Sequence, residues 1–130
     1  MKKDDTVFLR HILDAIHDIN SYLAGVSYND FLQHKLIQDA VVRQLEIVGE
    51  AATNLSVTLR QMHPGVAWGE IIGMRNRLIH AYFQIDVDIV WEVAHTDLPL
   101  LKEQVERMLA TPGSSTGEKK GGNDISENSR

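Results

Sequence analysis

The sequence predicts an all-α fold, and three observations support that prediction. Apolar residues recur at steps of three and four along four segments, as they do on one face of an amphipathic helix. No segment alternates apolar and polar residues in the way that a half-buried strand does. Hydrophobic residues make up 43% of the 130-residue chain, an ordinary share for a globular core. We therefore expect one helical domain over residues 1–110.

The first helix is expected over about residues 6–24. Gly25 follows it as a stop signal. The apolar stripe of this helix, which should face the core, consists of Leu9, Ile12, Ala15, Ile16, Ile19 and Leu23.

A second, long helix is expected over about residues 30–60, with Ser27, Asn29 and Asp30 as candidate caps. Gly49 interrupts it at a cost of roughly 1 kcal/mol relative to alanine. A glycine at such a place indicates close packing of a neighbouring element. His63-Pro64-Gly65 turns the chain after the helix. The apolar stripe consists of Ile37, Val41, Leu45, Val48, Ala52, Leu55 and Leu59.

The third helix is expected over about residues 68–83 and the fourth over about residues 86–109. Pro99 lies inside the fourth, and Thr96 and Asp97 before it are candidate N-caps. We therefore expect a break or kink near this proline.

The segment of residues 111–130 differs in composition from the rest of the chain. It is rich in glycine, serine and charged residues, and Ile125 is its one strong hydrophobe. Such a segment buries too little apolar surface to offset the entropy of ordering it. We expect a disordered polar tail, and its sequence indicates no function.

Composition also limits the classes of function. The chain has no cysteine, so neither a disulfide framework nor a thiolate metal site is expected. No apolar run is long enough for a membrane span or a signal peptide, and we expect a cytoplasmic protein without membrane contact. The formal net charge of -5 argues against a broad nucleic-acid-binding surface. A small site with a few placed cations remains compatible with it.

The third helix carries an unusual group of polar side chains. At 100° per residue, Asn76, Arg77 and His80 lie on its polar arc, and Asn76 and His80 are neighbours four positions apart. Arg75 instead projects into the apolar arc, and Tyr82 lies almost beneath it. The apolar arc consists of Ile71, Ile72, Met74, Leu78, Ile79 and Phe83.

An arginine on an apolar stripe has three explanations. Arg75 could extend to the rim of the stripe, pair with a carboxylate of another helix, or bind an anionic ligand. Its neighbours add weight to the third explanation, because a histidine moves protons near neutral pH and an arginine stabilises charge on a phosphoryl group, and the other two stay open. Two arginines, an amide, a histidine and a phenol are the groups for phosphodiester chemistry without a metal ion.

The second helix has a polar stripe of its own, formed by Arg43, Glu46, Glu50 and Asn54. Two interpretations remain open. The stripe is either a solvated face with an Arg43–Glu46 pair, or Glu46 or Glu50 reaches across to an arginine of the third helix and orients it.

The remaining histidines do not predict a metal site. None of them has metal-ligand spacing with a carboxylate or with a second histidine, and no cofactor motif is present. His95 is expected to be a capping or surface residue. This set consists of His11, His17, His34, His63 and His95.

The pattern Arg75-x4-His80-x-Tyr82 resembles the Arg-x4-His-x-Tyr signature of HepT-like toxins, a branch of the HEPN superfamily. The segments 42–52, 68–83 and 88–92 resemble the family's second helix, its signature helix and the segment that follows. The likeness extends from the first helix to about residue 109 and excludes the tail.

This resemblance implies a four- to five-helix bundle of the HEPN type that dimerises with its two motifs face to face. It implies a metal-independent endoribonuclease that cleaves RNA by attack of the ribose 2′-hydroxyl. Arg75 would stabilise the phosphate, His80 would act as acid or base, and Asn76 and Arg77 would position substrate. In a type VII-like toxin–antitoxin pair, an MntA-like minimal nucleotidyltransferase would silence the toxin by transferring AMP to Tyr82.

A dimer would also account for the charge on the apolar arc. An arc wider than the core requires can cover a two-fold partner, which places Arg75 near its symmetry mate. Two such cations repel each other unless an anion lies between them, and a phosphate suits that position. The alternative is a non-catalytic interaction module that binds a nucleotidyltransferase and nucleotide or RNA.

Overall fold

The computed structural model describes residues 2–80 and 84–110, and within them the chain forms eight α-helices. A π-helical segment, Val93–Asp97, joins the last two helices. Within these residues no strand forms, and one isolated antiparallel bridge pairs Ile79 with Ile85. The all-α prediction is confirmed. The helices are α1 Lys3–Leu23, α2 Tyr28–Gln33, α3 Lys35–Thr53, α4 Val57–Met62, α5 Trp68–Ile72, α6 Met74–Leu78, α7 Val87–Glu92 and α8 Leu98–Ala110.

The core lies between α1, α3 and α8, the three longest helices described. Their apolar stripes face one another, and most of the predicted stripe positions are buried. Leu23 and Ile37 lie at the edge of the core and are only partly buried. The central residues of the core are Leu9, Ile12, Ile16, Ile19, Val41, Leu45, Val48, Leu101 and Val105.

The predicted second helix consists of three separate helices. Ser27 caps α2 in a capping box with Asp30, which confirms these two expected caps, whereas Asn29 lies within the helix. His34 then takes a non-helical conformation between α2 and α3. Ser56 begins a new helix, α4, by accepting a hydrogen bond from the Leu59 N–H at 3.1 Å. Local capping therefore divides an apolar pattern that by itself predicts one continuous helix.

At Gly49, α3 packs closely against α5 and α6. A Cβ atom at this position would lie 2.8 Å from the carbonyl oxygen of Ile71 and 3.2 Å from the Cβ of Met74. The expectation that this glycine permits close packing is confirmed. It brings the helix of the arginine–histidine motif against the polar stripe of α3.

The predicted third helix is wrong in its second half. Gly73 separates α5 from α6, and α6 ends at Leu78. Ile79 is extended (φ -121°, ψ 124°), and the Ile79–Ile85 bridge replaces further helical hydrogen bonds. The His80 N–H donates to the Gln84 carbonyl at 2.8 Å. His80 therefore does not lie on a helix, and the expected helical neighbourhood of Asn76 and His80 does not form.

The predicted fourth helix changes its form just before Pro99, but Thr96 and Asp97 do not cap a new helix there, because both lie inside a π-helical segment. The π-helical segment Val93–Asp97 precedes α8, and Pro99 is the second residue of that helix. Proline cannot donate a backbone hydrogen bond, and its ring clashes with the carbonyl four residues earlier. A wider turn there relieves both restrictions.

The helices of the described ranges are also too short or too polar to span a membrane.

Candidate active site

Arg75 projects from α6 towards α3, where its Nη1 donates to Glu46 Oε2 at 2.5 Å. Glu46 is largely covered, but 60% of the Arg75 side chain remains exposed. Of the three explanations for this arginine, the carboxylate pair is the one observed. Of the two interpretations of the polar stripe on α3, the one in which Glu46 reaches across to an arginine of the neighbouring helix is correct. The guanidinium has five N–H donors, so a single carboxylate oxygen leaves donors for a ligand.

A shallow groove of about 270 Å³ runs along this pair of helices. Arg43 and Glu50 from the polar stripe of α3 form one side, and Ile72 and Arg75 form the other. Both cations of this groove are therefore on one surface. Gly49 also lines the groove, and its missing side chain keeps the two sides close.

His80 follows α6 and has 56% of its side chain exposed. Its Nε2 lies 3.0 Å from Asp86 Oδ2. The other oxygen, Asp86 Oδ1, accepts from the Ile89 N–H at 3.1 Å and caps α7. The hydrogen bond with His80 is the main cause that lowers the pKa of Asp86, and the Ile89 N–H lowers it further. The carboxylate is therefore held ionised beside the imidazole.

Asp86 was not recognised as a site residue from the sequence. Its spacing of six residues from His80 fits neither a helical face nor a tight turn. The available signal was its position as an N-cap before Val87, but a cap alone does not indicate contact with a histidine.

Arg77 belongs to a different surface from Arg75. Its Nη2 donates to Asp97 Oδ2 at 3.1 Å, and its Nη1 lies 3.8 Å from Glu70. Two positions along a helix correspond to about 200°, so the two arginines point in opposite directions. The structure does not bring Arg77 into the groove of Arg75. Asn76 between them is exposed, and substrate positioning by either residue stays a prediction.

Around Arg77 there is a second cavity of about 240 Å³ between α5, α6 and α8. Its floor is apolar, and Glu70 and Asp97 already balance the arginine charge at its rim. The apolar floor consists of Ile71, Met74, Leu98 and Leu101.

Other expected positions have simpler explanations. His34 and His95 bond backbone carbonyls through Nδ1, and the exposed His95 ring packs on Trp91. Within residues 2–80 and 84–110 no three histidine or carboxylate side chains are grouped so as to hold a metal ion. Tyr82 and the predicted tail, residues 111–130, lie outside the described residues.

The fold and the exposed Arg75 and His80 define a class of protein, an all-α domain with a candidate site for acid–base chemistry and anion binding. Comparison with known proteins agrees with that class. The family described as "Ribonuclease HepT-like" matches residues 12–108, about three quarters of the chain. The chain belongs to this HepT-like ribonuclease family.

Curated relatives are similar over nearly the same region. A Methanocaldococcus jannaschii protein named "Putative RNase" is 40% identical over 81% of this chain and 96% of its own length. A Thermococcus cleftensis protein named "Probable ribonuclease HepT" is 39% identical over 83% of this chain and 98% of its own length. A third relative, named "Gamma-glutamylcyclotransferase and putative RNase", is 39% identical, and the match spans about half of its length (49%). No solved structure matches the chain.

Proposed function

We propose that this chain is a metal-independent endoribonuclease toxin. The observation that carries the proposal is that Arg75 and His80 are each held by a carboxylate and still expose more than half of their side chains (60% and 56%). Catalytic groups need fixed positions and access to substrate together. A purely structural ion pair does not need access to substrate.

The proposed reaction is a transfer within the RNA backbone. A base removes the proton of the ribose 2′-hydroxyl, whose oxygen attacks the adjacent phosphorus. The new P–O2′ bond forms as the P–O5′ bond breaks, and an acid donates a proton to the departing 5′-oxygen. The products are a 2′,3′-cyclic phosphate and a 5′-hydroxyl. His80 exchanges the protons, and the free donors of Arg75 balance the charge on the phosphoryl oxygens.

A homodimer completes this proposal, because one histidine per chain then supplies the base and its symmetry mate the acid. The exposed Leu36 supports a contact surface on α3, since 84% of this residue is accessible to solvent. Arg43 follows seven positions later, and the two residues therefore lie on the same face of the helix. That face continues into the groove of Arg75. An exposed leucine beside a cationic groove fits a two-fold interface with an anion at its centre.

The proposed partner is an MntA-like nucleotidyltransferase that transfers AMP to Tyr82. The support is the tyrosine two residues after His80, in the order that the family signature has. RNA and ATP are both intracellular, so the proposed location is the cytoplasm.

An RNA cleavage assay in the presence of a chelator tests this function. We expect the wild type to cut RNA under these conditions and His80→Ala to be inactive. Activity that disappears in chelator and returns with magnesium would contradict the metal-independent mechanism. RNA binding without cleavage by either protein would favour the non-catalytic interaction module instead.

A further inference from the structure

The chain around the Ile79–Ile85 bridge places His80 and Asp86 on one face. Ile79 and Ile85 pair directly, so the residues on either side of them point to the opposite face. Two backbone hydrogen bonds of 2.8 Å fix this register: His80 N–H to the Gln84 carbonyl and Asp86 N–H to the Leu78 carbonyl. His80 and Asp86 are therefore diagonal neighbours across the bridge, a separation that side chains of this length can span.

The Asp86 carboxylate is held at both of its oxygens. Oδ1 accepts from the Ile89 N–H at 3.1 Å at the start of α7, and Oδ2 lies 3.0 Å from His80 Nε2. A carboxylate anchored by a helix N-terminus has little freedom to rotate, and an imidazole bonded to it shares that restriction. The helix cap thereby sets the orientation of the His80 ring.

We propose that Asp86 is a positioning residue for His80, which it holds as the Nε2–H tautomer with the lone pair of Nδ1 presented to the RNA. An ionised carboxylate only accepts hydrogen bonds, so the hydrogen between Oδ2 and Nε2 belongs to the imidazole. In the neutral ring the other nitrogen, Nδ1, then carries the lone pair that takes a proton. Among the described residues, Nδ1 has no hydrogen-bond partner. This inference rests on the proposed function, since it assigns the nitrogen of His80 that reacts.

The lowered pKa of Asp86 is consistent with this arrangement. Its main cause is the hydrogen bond with His80, and the Ile89 N–H is the next. The carboxylate therefore stays ionised, and an acceptor, over the pH range in which a histidine exchanges protons.

Asp86→Asn separates this role from that of a helix cap. Asparagine is as good an N-cap as aspartate, so α7 keeps its start. With the amide oxygen on the Ile89 N–H, the NH₂ group faces His80 Nε2. Two donors cannot share a hydrogen bond, and the imidazole must move its proton to Nδ1. The reacting lone pair is then lost although the fold is kept.

We expect Asp86→Asn to lower kcat for RNA cleavage by about 100-fold, the contribution typical of general acid–base catalysis, with KM within about twofold of wild type. Asp86→Ser should keep the cap but not reach His80, and kcat should fall by about 10-fold through loss of orientation. Asp88→Asn is the matched control: it removes the same charge from the first turn of α7, at a side chain bonded to Tyr28, and should cut at the wild-type rate.

The thermal unfolding midpoint of each variant shows that it is folded, and ¹⁵N chemical shifts of the His80 ring report the tautomer independently of activity. If Asp86→Asn cuts at the wild-type rate and keeps the Nε2–H tautomer while His80→Ala is inactive, the positioning role is overturned and the ribonuclease proposal stands. If the wild type cuts no faster than His80→Ala, the proposed function fails and this inference fails with it.

Discussion

At the scale of single residues, the candidate site consists of two pairs, each a nitrogen donor hydrogen-bonded to a carboxylate, and both contribute little to folding. Arg75–Glu46 and His80–Asp86 both lie at the surface. Exposed ion pairs contribute only about 0–1 kcal/mol, because water screens the charges and long side chains lose freedom. Their geometry therefore matters for orientation more than for stability. Substitutions there should separate activity from folding.

Replacing Arg75 and His80 tests this separation. We expect Arg75→Ala and His80→Ala each to lower kcat/KM for RNA cleavage by about 100-fold or more, since charge stabilisation and proton transfer are lost. Circular dichroism should show unchanged helicity. Normal cutting by both variants would show that the site lies elsewhere.

The lowered pKa of Asp86 also predicts a pH dependence of stability. A carboxyl group whose pKa is lower in the folded protein stabilises the fold above its ordinary value of about 4, and this contribution is lost as pH falls through the folded pKa. We expect the wild type to be more stable than Asp86→Asn above about pH 4, with the difference narrowing on further acidification. Urea unfolding between about pH 2 and 6 measures it. A stability difference between the wild type and Asp86→Asn that widens towards acid pH would contradict the lowered pKa of Asp86.

At the scale of elements, the contact of α3 with α5 and α6 positions the arginine. Gly49 allows that contact, because no side chain fits between its Cα and the carbonyl of Ile71. Glu46 lies three positions earlier on α3 and reaches Arg75 from there. The same contact therefore determines packing and the orientation of the guanidinium.

Two glycine substitutions should have opposite effects. Gly49→Ala places a Cβ 2.8 Å from the Ile71 oxygen, and we expect the free energy of unfolding to fall by about 1–3 kcal/mol. Gly69→Ala, in the open first turn of α5, should be neutral or stabilising by up to about 1 kcal/mol. Denaturant titration of both variants measures these differences. A stabilising Gly49→Ala would show that the helices separate without cost.

At the scale of the whole molecule, charge and assembly are connected. A chain of net charge -5 repels RNA overall, so binding must depend on a local group of cations. Arg43 and Arg75 line one groove. A two-fold dimer would double that group and bring both histidines to one site.

The dimer is tested by sedimentation at micromolar concentration. We expect the wild type to be a dimer and Leu36→Asp to shift it towards monomer, because a charge would replace the most exposed leucine on the α3 face. Val57→Asp, at an exposed position of α4, is the control and should remain dimeric. A monomeric wild type would contradict the proposed assembly.

Regulation by a partner is tested by intact mass after incubation with an MntA-like nucleotidyltransferase and ATP. We expect the wild type to gain AMP and lose activity, because the added phosphodiester brings negative charge and bulk beside the arginine–histidine motif. Tyr82→Phe should gain no AMP and keep cutting. Tyr28→Phe, at an exposed tyrosine of α2, should be modified like the wild type. Equal modification of Tyr82→Phe would place the acceptor elsewhere.

The sequence by itself determined the helical class, the buried stripes of α1 and α3, the caps Ser27 and Asp30 and the close approach at Gly49. These features follow from periodicity and local capping, which a linear pattern contains. It also placed Arg75 and His80 in a recognisable motif.

Only the tertiary structure decided how those two residues are held. Glu46 pairs with Arg75 across 29 positions of sequence, and Asp97 pairs with Arg77 across 20. His80 leaves the helix because the bridge between Ile79 and Ile85 competes successfully with the next helical turn. Contacts between elements depend on how helices pack against each other. The periodicity along one helix does not predict which residues of another helix its side chains will contact.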